Sequence, residues 1–320
     1  MSVPAQAAAD VPVALFVHRR YEQLPRTLEC LRACGVKQLY VFSDGPRDQA
    51  EVEQVARVRE ILRALDWVRP ITLERAENVG LSRSIRSGLD QLFETHHAAI
   101  VIEDDICVAP EFYDYACAAL RHYEGSGRIA GITGLRYPFS RTALSGSSFD
   151  VFLSPRFSSW AWATWKDRWR AFGFEPAELR GQIAGARSFD PRRAGADMPG
   201  LIEGAVVSET LHGSWDVICA ANMLLSDQYF VTPAWNMVEN TGLADGAHSS
   251  QAPSWELRWE PDHRPGLHEI RFSPIEVDER VLTEYRRFFT AGDANGGALA
   301  RARLAAARWR TMRRLRRIHT

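Results

Sequence analysis

Long apolar runs are missing from this 320-residue chain. The longest, around Ala98 to Ile102 and Val217 to Leu225, fall well short of the roughly 20 residues that a membrane-spanning helix needs. No secretory signal is expected either, because Val11 to Val17 is a short apolar run that ends at His18-Arg19-Arg20 with no basic leader before it. Cysteine is scarce and odd in number: Cys30, Cys34, Cys107, Cys117 and Cys219 contain no Cys-x-x-Cys pair of the kind that holds zinc or cycles as a dithiol. A reducing, cytoplasmic compartment is therefore expected, with Cys30 and Cys34 packed as small side chains on one helix face. A Gly-rich dinucleotide fingerprint is absent after the first strand-like run, and so is any Gly-Lys-Ser/Thr phosphate loop, which counts against NAD enzymes and P-loop NTPases. Charge of one sign is lacking too: 39 basic and 40 acidic residues leave a net −1, so no nucleic-acid partner is expected.

What is present reads as an ordinary globular chain, 46% hydrophobic and 25% charged. Strand-like and helix-like stretches alternate: Val11 to Val17, then Glu22 to Cys34 with Leu24, Leu28 and Leu31 at helical spacing, then Gln38 to Phe42 and Gln49 to Leu65. Ile71 to Glu74, Leu81 to Phe93 and Ala98 to Ile102 continue the pattern. Alternation of this kind predicts parallel β-α-β units and an α/β, Rossmann-like fold whose mostly parallel central sheet is flanked by helices. The expected organisation is a disordered lead at 1–10, a ligand-binding half at 11–135, a second half of the same domain at 136–290 and a basic tail at 291–320. A helix at Ser214 to Leu225 and a strand at Tyr229 to Pro233 are expected in the second half.

Open parallel sheets bind ligands beyond the carboxyl ends of their strands. Those positions hold His18-Arg19-Arg20, Ser43-Asp44-Gly45, Asn78-Val79-Gly80 and Glu103-Asp104-Asp105, a mixed rim suited to a phosphorylated ligand with a cation. Three consecutive acids arise by chance about 0.6 times in such a chain, so position rather than composition carries the signal. After a continuous apolar strand they can hold an oxygen-preferring Mg2+ or Mn2+; the plainer alternative is a solvated turn with Asp105 starting the next helix. Asn78 and Gly80 precede a helix opening with Ser82 and Arg83, where backbone N–H groups and a guanidinium could meet phosphate.

Three stretches carry a family resemblance. Phe16 to Leu28, Ile102 to Tyr113 and Asn236 to Gly242 running on to His248-Ser249 are together similar to the nucleotide-sugar glycosyltransferases of the GT-A fold, with a Glu-Asp-Asp motif resembling the N-acetylglucosaminyltransferase I type and a C-terminal loop like that of bacterial members. The resemblance spans about residues 11–250 and departs from the family at the His18-Arg19 pair and at Glu103, where many relatives have Asp. It implies that Arg20 contacts the nucleotide, that Asp44 accepts a hydrogen bond from the base, that Glu103 and Asp104 contact ribose and sugar, and that Asp105 ligates the metal with His248 completing the metal or pyrophosphate site. The general base it implies is Asp216, after Trp215 at the start of an apolar helix, with Glu209 the rival; the alternative is an ordinary N-terminal helix acid. One in-line attack with a carboxylate base would invert the anomeric centre.

The expected activity is transfer of a sugar from a nucleotide diphosphate sugar, a UDP-sugar first, to a glycan or lipid-linked acceptor. Its rivals are a sugar-phosphate nucleotidyltransferase, which wants a Gly-rich signature not found here, and an inactive glycan-binding protein. Trp160, Trp162, Trp165 and Trp169 are dense enough to suggest a sugar platform as well as core packing, at a spacing that fits strand and helix alike. Finally, residues 301–320 hold eight arginines and no acid, leaving the other 300 residues at −9. With Leu304, Trp309, Met312, Leu315 and Ile318 interspersed, the tail suggests peripheral attachment to an anionic membrane surface, the alternative being a solvated or partner-docked helix.

Overall fold

A computed structural model describes residues 10–138, 147–207, 214–242 and 270–291. The alternation opens with β1 (Val13–Val17), α1 (Leu24–Ala33), β2 (Leu39–Ser43), α2 (Val52–Arg63), β3 (Ile71–Glu74), α3 (Leu81–Leu92) and β4 (Ala98–Glu103). Then come β5 (Ile106–Val108), α4 (Phe112–Tyr123), β6 (Ile129–Thr133), β7 (Val151–Ser154), β8 (Trp162–Trp165), α5 (Lys166–Ala171), α6 (Pro176–Gly185) and α7 (Met198–Ile202). A π-helical turn at Glu203–Val207, α8 (Trp215–Leu225), β9 (Tyr229–Pro233), β10 (Val238–Asn240) and α9 (Glu279–Ala291) complete the described chain.

Eight strands form one sheet in the order β3-β2-β1-β4-β8-β6-β9-β7. Only β8 and β7 run against the other six. The predicted α/β fold with a mostly parallel, helix-flanked sheet is therefore present. Period-2 alternation divides its core: Val13, Leu15 and Val17 of β1 join Leu24, Leu28 and Leu31 of α1 on one face. Ala14 and Phe16 join Ile85 and Leu89 of α3 on the other. Both faces being covered explains why β1 and β4 read as continuous apolar runs rather than as alternating ones.

The tryptophan-rich stretch, ambiguous between strand and helix, is both in succession. Trp162 and Trp165 belong to β8 and Trp169 to α5, and all three are buried. β8 inserts antiparallel between β4 and β6, with Ile100 opposite Ala163 and Ile132 opposite the same residue. Packing thus accounts for three of the four indoles, and the sheet runs through both expected halves of the chain.

Candidate functional site

The carboxyl ends of β1, β2 and β4 stand side by side, Phe16 opposite Glu103 and Val17 opposite Ser43. The polar triplets that follow these strands consequently surround one cleft of about 580 Å3, lined by His18, Arg20, Asp44, Asn78, Glu103 and Asp104 among others. Between them, Asp104 is the hub. Its Oδ2 accepts the His18 backbone N–H at 2.9 Å and its Oδ1 lies 3.2 Å from Arg20 Nη1. The same Arg20 nitrogen is 2.6 Å from Asp105 Oδ2, so one guanidinium bridges two buried carboxylates.

A second strand pair fixes Asp105. In the hairpin-like ladder of β5 and β10, Ile106 lies opposite Asn240, and beyond it Thr241 donates its N–H and its hydroxyl to Asp105 O at 2.8 and 3.0 Å. Gly242 then passes so close that a Cβ there would stand 2.8 Å from Asp105 Cβ and overlap its carboxylate, a close approach only glycine permits. Two separate stretches that carried the resemblance, 102–113 and 236–242, thereby meet at the acidic triplet.

Burial is the first cause of the triplet's electrostatics. It pushes Glu103 up to about 8 and Asp104 up to about 6, with neighbouring acids adding and Arg20 opposing, and it raises Asp105 as well. Buried Asp104 and Asp105 and half-buried Glu103 against one arginine leave a local negative excess that an oxygen-preferring divalent cation would relieve. The all-oxygen donor set and the bare glycine beside Asp105 fit Mg2+ or Mn2+. Among the described residues no three His, Cys, Asp or Glu side chains converge on one point. Asp105 and one neighbour would then supply the protein ligands, as is usual when phosphate and water fill the rest.

At the far end of the cleft the residues serve each other. Asp44 is buried, and its two oxygens accept the N–H groups of Gly45, Val79 and Gly80 at 3.1 to 3.2 Å. Its carboxylate therefore holds the 78–80 turn in place, a task the sequence did not reveal, and its expected hydrogen bond from a base competes with these amides. Asn78 donates to Gly45 O at 2.9 Å and lies 3.1 Å from His18 Nε2. Arg83 departs from expectation: it is exposed on α3, and the cleft is lined at this end by Gly80, Leu81 and Ser84 instead. Also unforeseen is Glu51, buried, which takes Arg47 Nε at 2.9 Å, His18 Nε2 at 3.2 Å and Arg19 Nε at 3.4 Å. Burial nonetheless lowers the His18 pKa below its ordinary value, outweighing the Glu51 charge.

Asp216 lies in the first turn of α8, half-buried, on a smaller cavity of about 180 Å3 that Trp160 also lines. Burial raises its pKa, opposed by backbone N–H groups at the helix start and by the charge of Arg156. The Asp216 charge also raises the pKa of Glu103, after burial and the neighbouring Asp105 and Asp104. Of the cluster's four indoles, Trp160 lines the smaller cavity. Glu209, His248 and the arginine tail lie outside the described residues.

No family model and no curated protein matches the chain. Among solved structures, it is similar to a mannosyltransferase from Pyrobaculum calidifontis, PcManGT, determined with GDP-mannose and Mn2+. The identity is 13%, the TM-score is 0.44, and the likeness covers 94% of this chain and 81% of that one.

Proposed function

We propose that the protein is a metal-dependent, inverting glycosyltransferase that takes a nucleotide diphosphate sugar, a UDP-sugar first, and passes the sugar to a glycan or lipid-linked acceptor. The observation that carries this reading is the convergence of Arg20, the Glu103-Asp104-Asp105 triplet and the 238–242 segment on a cleft whose other end is the Asp44-held turn. Asp105, with Glu103 or Asp104, would hold the cation, and His248 would complete that site. The bound cation supplies charge neutralisation at the departing diphosphate.

The chain's own groups do the rest. The turn at Asn78 to Gly80, whose Val79 and Gly80 N–H groups are held by Asp44, sets the start of α3 toward the nucleotide, and Arg20 is near enough to the acids to exchange a carboxylate for a phosphate oxygen. Asp216 takes the proton from the acceptor hydroxyl as its oxygen attacks the anomeric carbon and the bond to diphosphate breaks. Burial suits it to this task, since a raised pKa makes a stronger base provided the group is ionised. Attack and departure on opposite faces invert the centre.

One observation favours the inactive rival: Arg20 already bridges Asp104 and Asp105 and offsets part of the charge that a cation would otherwise take up. Turnover separates the readings. With a panel of UDP-, GDP- and CMP-sugars, Mn2+ should support nucleotide release and EDTA should abolish it. Asp216→Asn should keep donor affinity and lose about 100-fold or more in turnover. No release from any donor sinks the enzyme reading; failure of Glu209→Gln in place of Asp216→Asn reassigns the base.

A further inference from the structure

The smaller cavity has a wall chemistry that the catalytic reading leaves unused. Tyr137, Phe157, Trp160 and Phe289 make it aromatic, and Phe289 comes from α9, near the end of the described chain. Arg156 lines it too, but its guanidinium is spent. Nη1 and Nη2 donate to Asp197 Oδ1 and Oδ2 at 2.9 Å each, Nη1 also donates to Ala194 O at 3.0 Å, and the cation sits 3.7 Å from the centre of the Phe289 ring. An arginine engaged on all these sides has no charge in reserve for an anion, while Asp216 in the same cavity repels one. Ser158, 4% exposed, also lines the cavity, and its hydroxyl has no hydrogen-bond partner among the described residues. Buried hydroxyls are normally paired, so this one marks a missing polar partner. The space of about 180 Å3 corresponds to about six water molecules, enough for one small ring and too little for a chain of them.

We propose that this cavity receives the terminal residue of the acceptor as a single uncharged pyranose, with Phe289, stacked on the Asp197-anchored Arg156, as the wall that sets that choice; the proposal rests on the glycosyltransferase reading. A pyranose presents an apolar face to aromatic rings and hydroxyls to Asp216 and Ser158. An acyl chain would leave that carboxylate and hydroxyl unpaired, and a uronic acid or phosphorylated sugar would meet Asp216, with Arg156, the one cation among the described residues lining the cavity, already paired to Asp197.

Ligand-observed NMR on the full chain tests this with methyl hexopyranosides against methyl glucuronide, each with and without nucleoside diphosphate and Mn2+. Neutral glycosides should bind, and the glucuronide should bind about tenfold more weakly or not at all. Phe289→Ala should weaken the neutral glycosides about tenfold, with a folded spectrum and unchanged nucleotide affinity. Ser158→Ala should weaken them as well while raising the thermal midpoint of the free protein, because it removes an unpaired buried hydroxyl; a purely structural serine would not show both. Equal binding of the glucuronide by the unaltered protein overturns the proposal without recourse to any variant. So does unchanged glycoside binding by folded Phe289→Ala, or nucleotide-sugar turnover with no glycoside bound. Neutral glycosides bound by a protein that binds no nucleotide would leave the ring site standing and remove the glycosyltransferase reading.

Discussion

Glu51 shows how a single side chain organises the rim of the cleft. The hydrogen bond from the Arg47 guanidinium is the main cause that pulls its pKa down to about 2, followed by the Arg47 backbone N–H and the His18 charge, against the cost of burial. Folded-state pKa below the unfolded value means that the ionised carboxylate stabilises the fold above about pH 4.5 and that this contribution is lost as pH falls through 2. The shift corresponds to about 3 kcal/mol at most. Glu51→Gln should therefore lower the thermal midpoint at pH 7, and the gap to the unaltered protein should close between pH 4.5 and 2. A gap that stays constant over that range would mean that packing, not charge, is what Glu51 contributes. None of this was legible in the sequence, where Glu51 is one acid among several at the start of a helix; its role depends on β1 delivering His18 and Arg19 to the same point.

At the scale of elements, the ladder of β5 and β10 is what turns an acidic triplet into a shaped site. Three residue pairs tie the two strands, and Thr241 and Gly242 follow directly against Asp105. Gly242→Ala would place a methyl group on the Asp105 carboxylate, so it should weaken Mn2+-dependent nucleotide binding nearly as much as Asp105→Ala, with the rest of the fold intact by circular dichroism. Calorimetry with and without EDTA reads both variants; metal-dependent affinity preserved in both would take the triplet out of the site. The helices and parallel strands were legible because burial on two faces writes long apolar runs and the intervening helices keep a 3.6 period. Strands of three residues write almost nothing, and the pairing of 106–108 with 238–240 joins positions about 130 residues apart in the chain. β8 was illegible for a different reason: Trp160 and Trp162 fit a strand's period while Trp162, Trp165 and Trp169 fit a helix's, and its antiparallel place between β4 and β6 is decided by partners, not by its own pattern.

The whole molecule separates its charges along the chain. Residues 1–300 carry −9 and residues 301–320 carry +8, so any attachment to an anionic bilayer must work against the body and through the tail. Among the described residues no helix is long and apolar enough to cross a membrane. Each arginine near an anionic surface contributes about 1 kcal/mol, and the interspersed Leu304, Trp309, Leu315 and Ile318 would add apolar burial at the headgroup boundary. We propose that the tail is this anchor, holding the catalytic cleft close to lipid-linked acceptors. The full chain should then sediment with anionic liposomes at low salt, less so as salt screens the arginines, and not at all with neutral ones. Removing residues 301–320 should abolish sedimentation while sparing turnover of soluble acceptors, because every residue assigned to binding or catalysis precedes position 290. A full-length protein that ignores anionic liposomes even at low salt refutes the anchor, and docking of the arginines on the acidic body becomes the better account of the same charge separation.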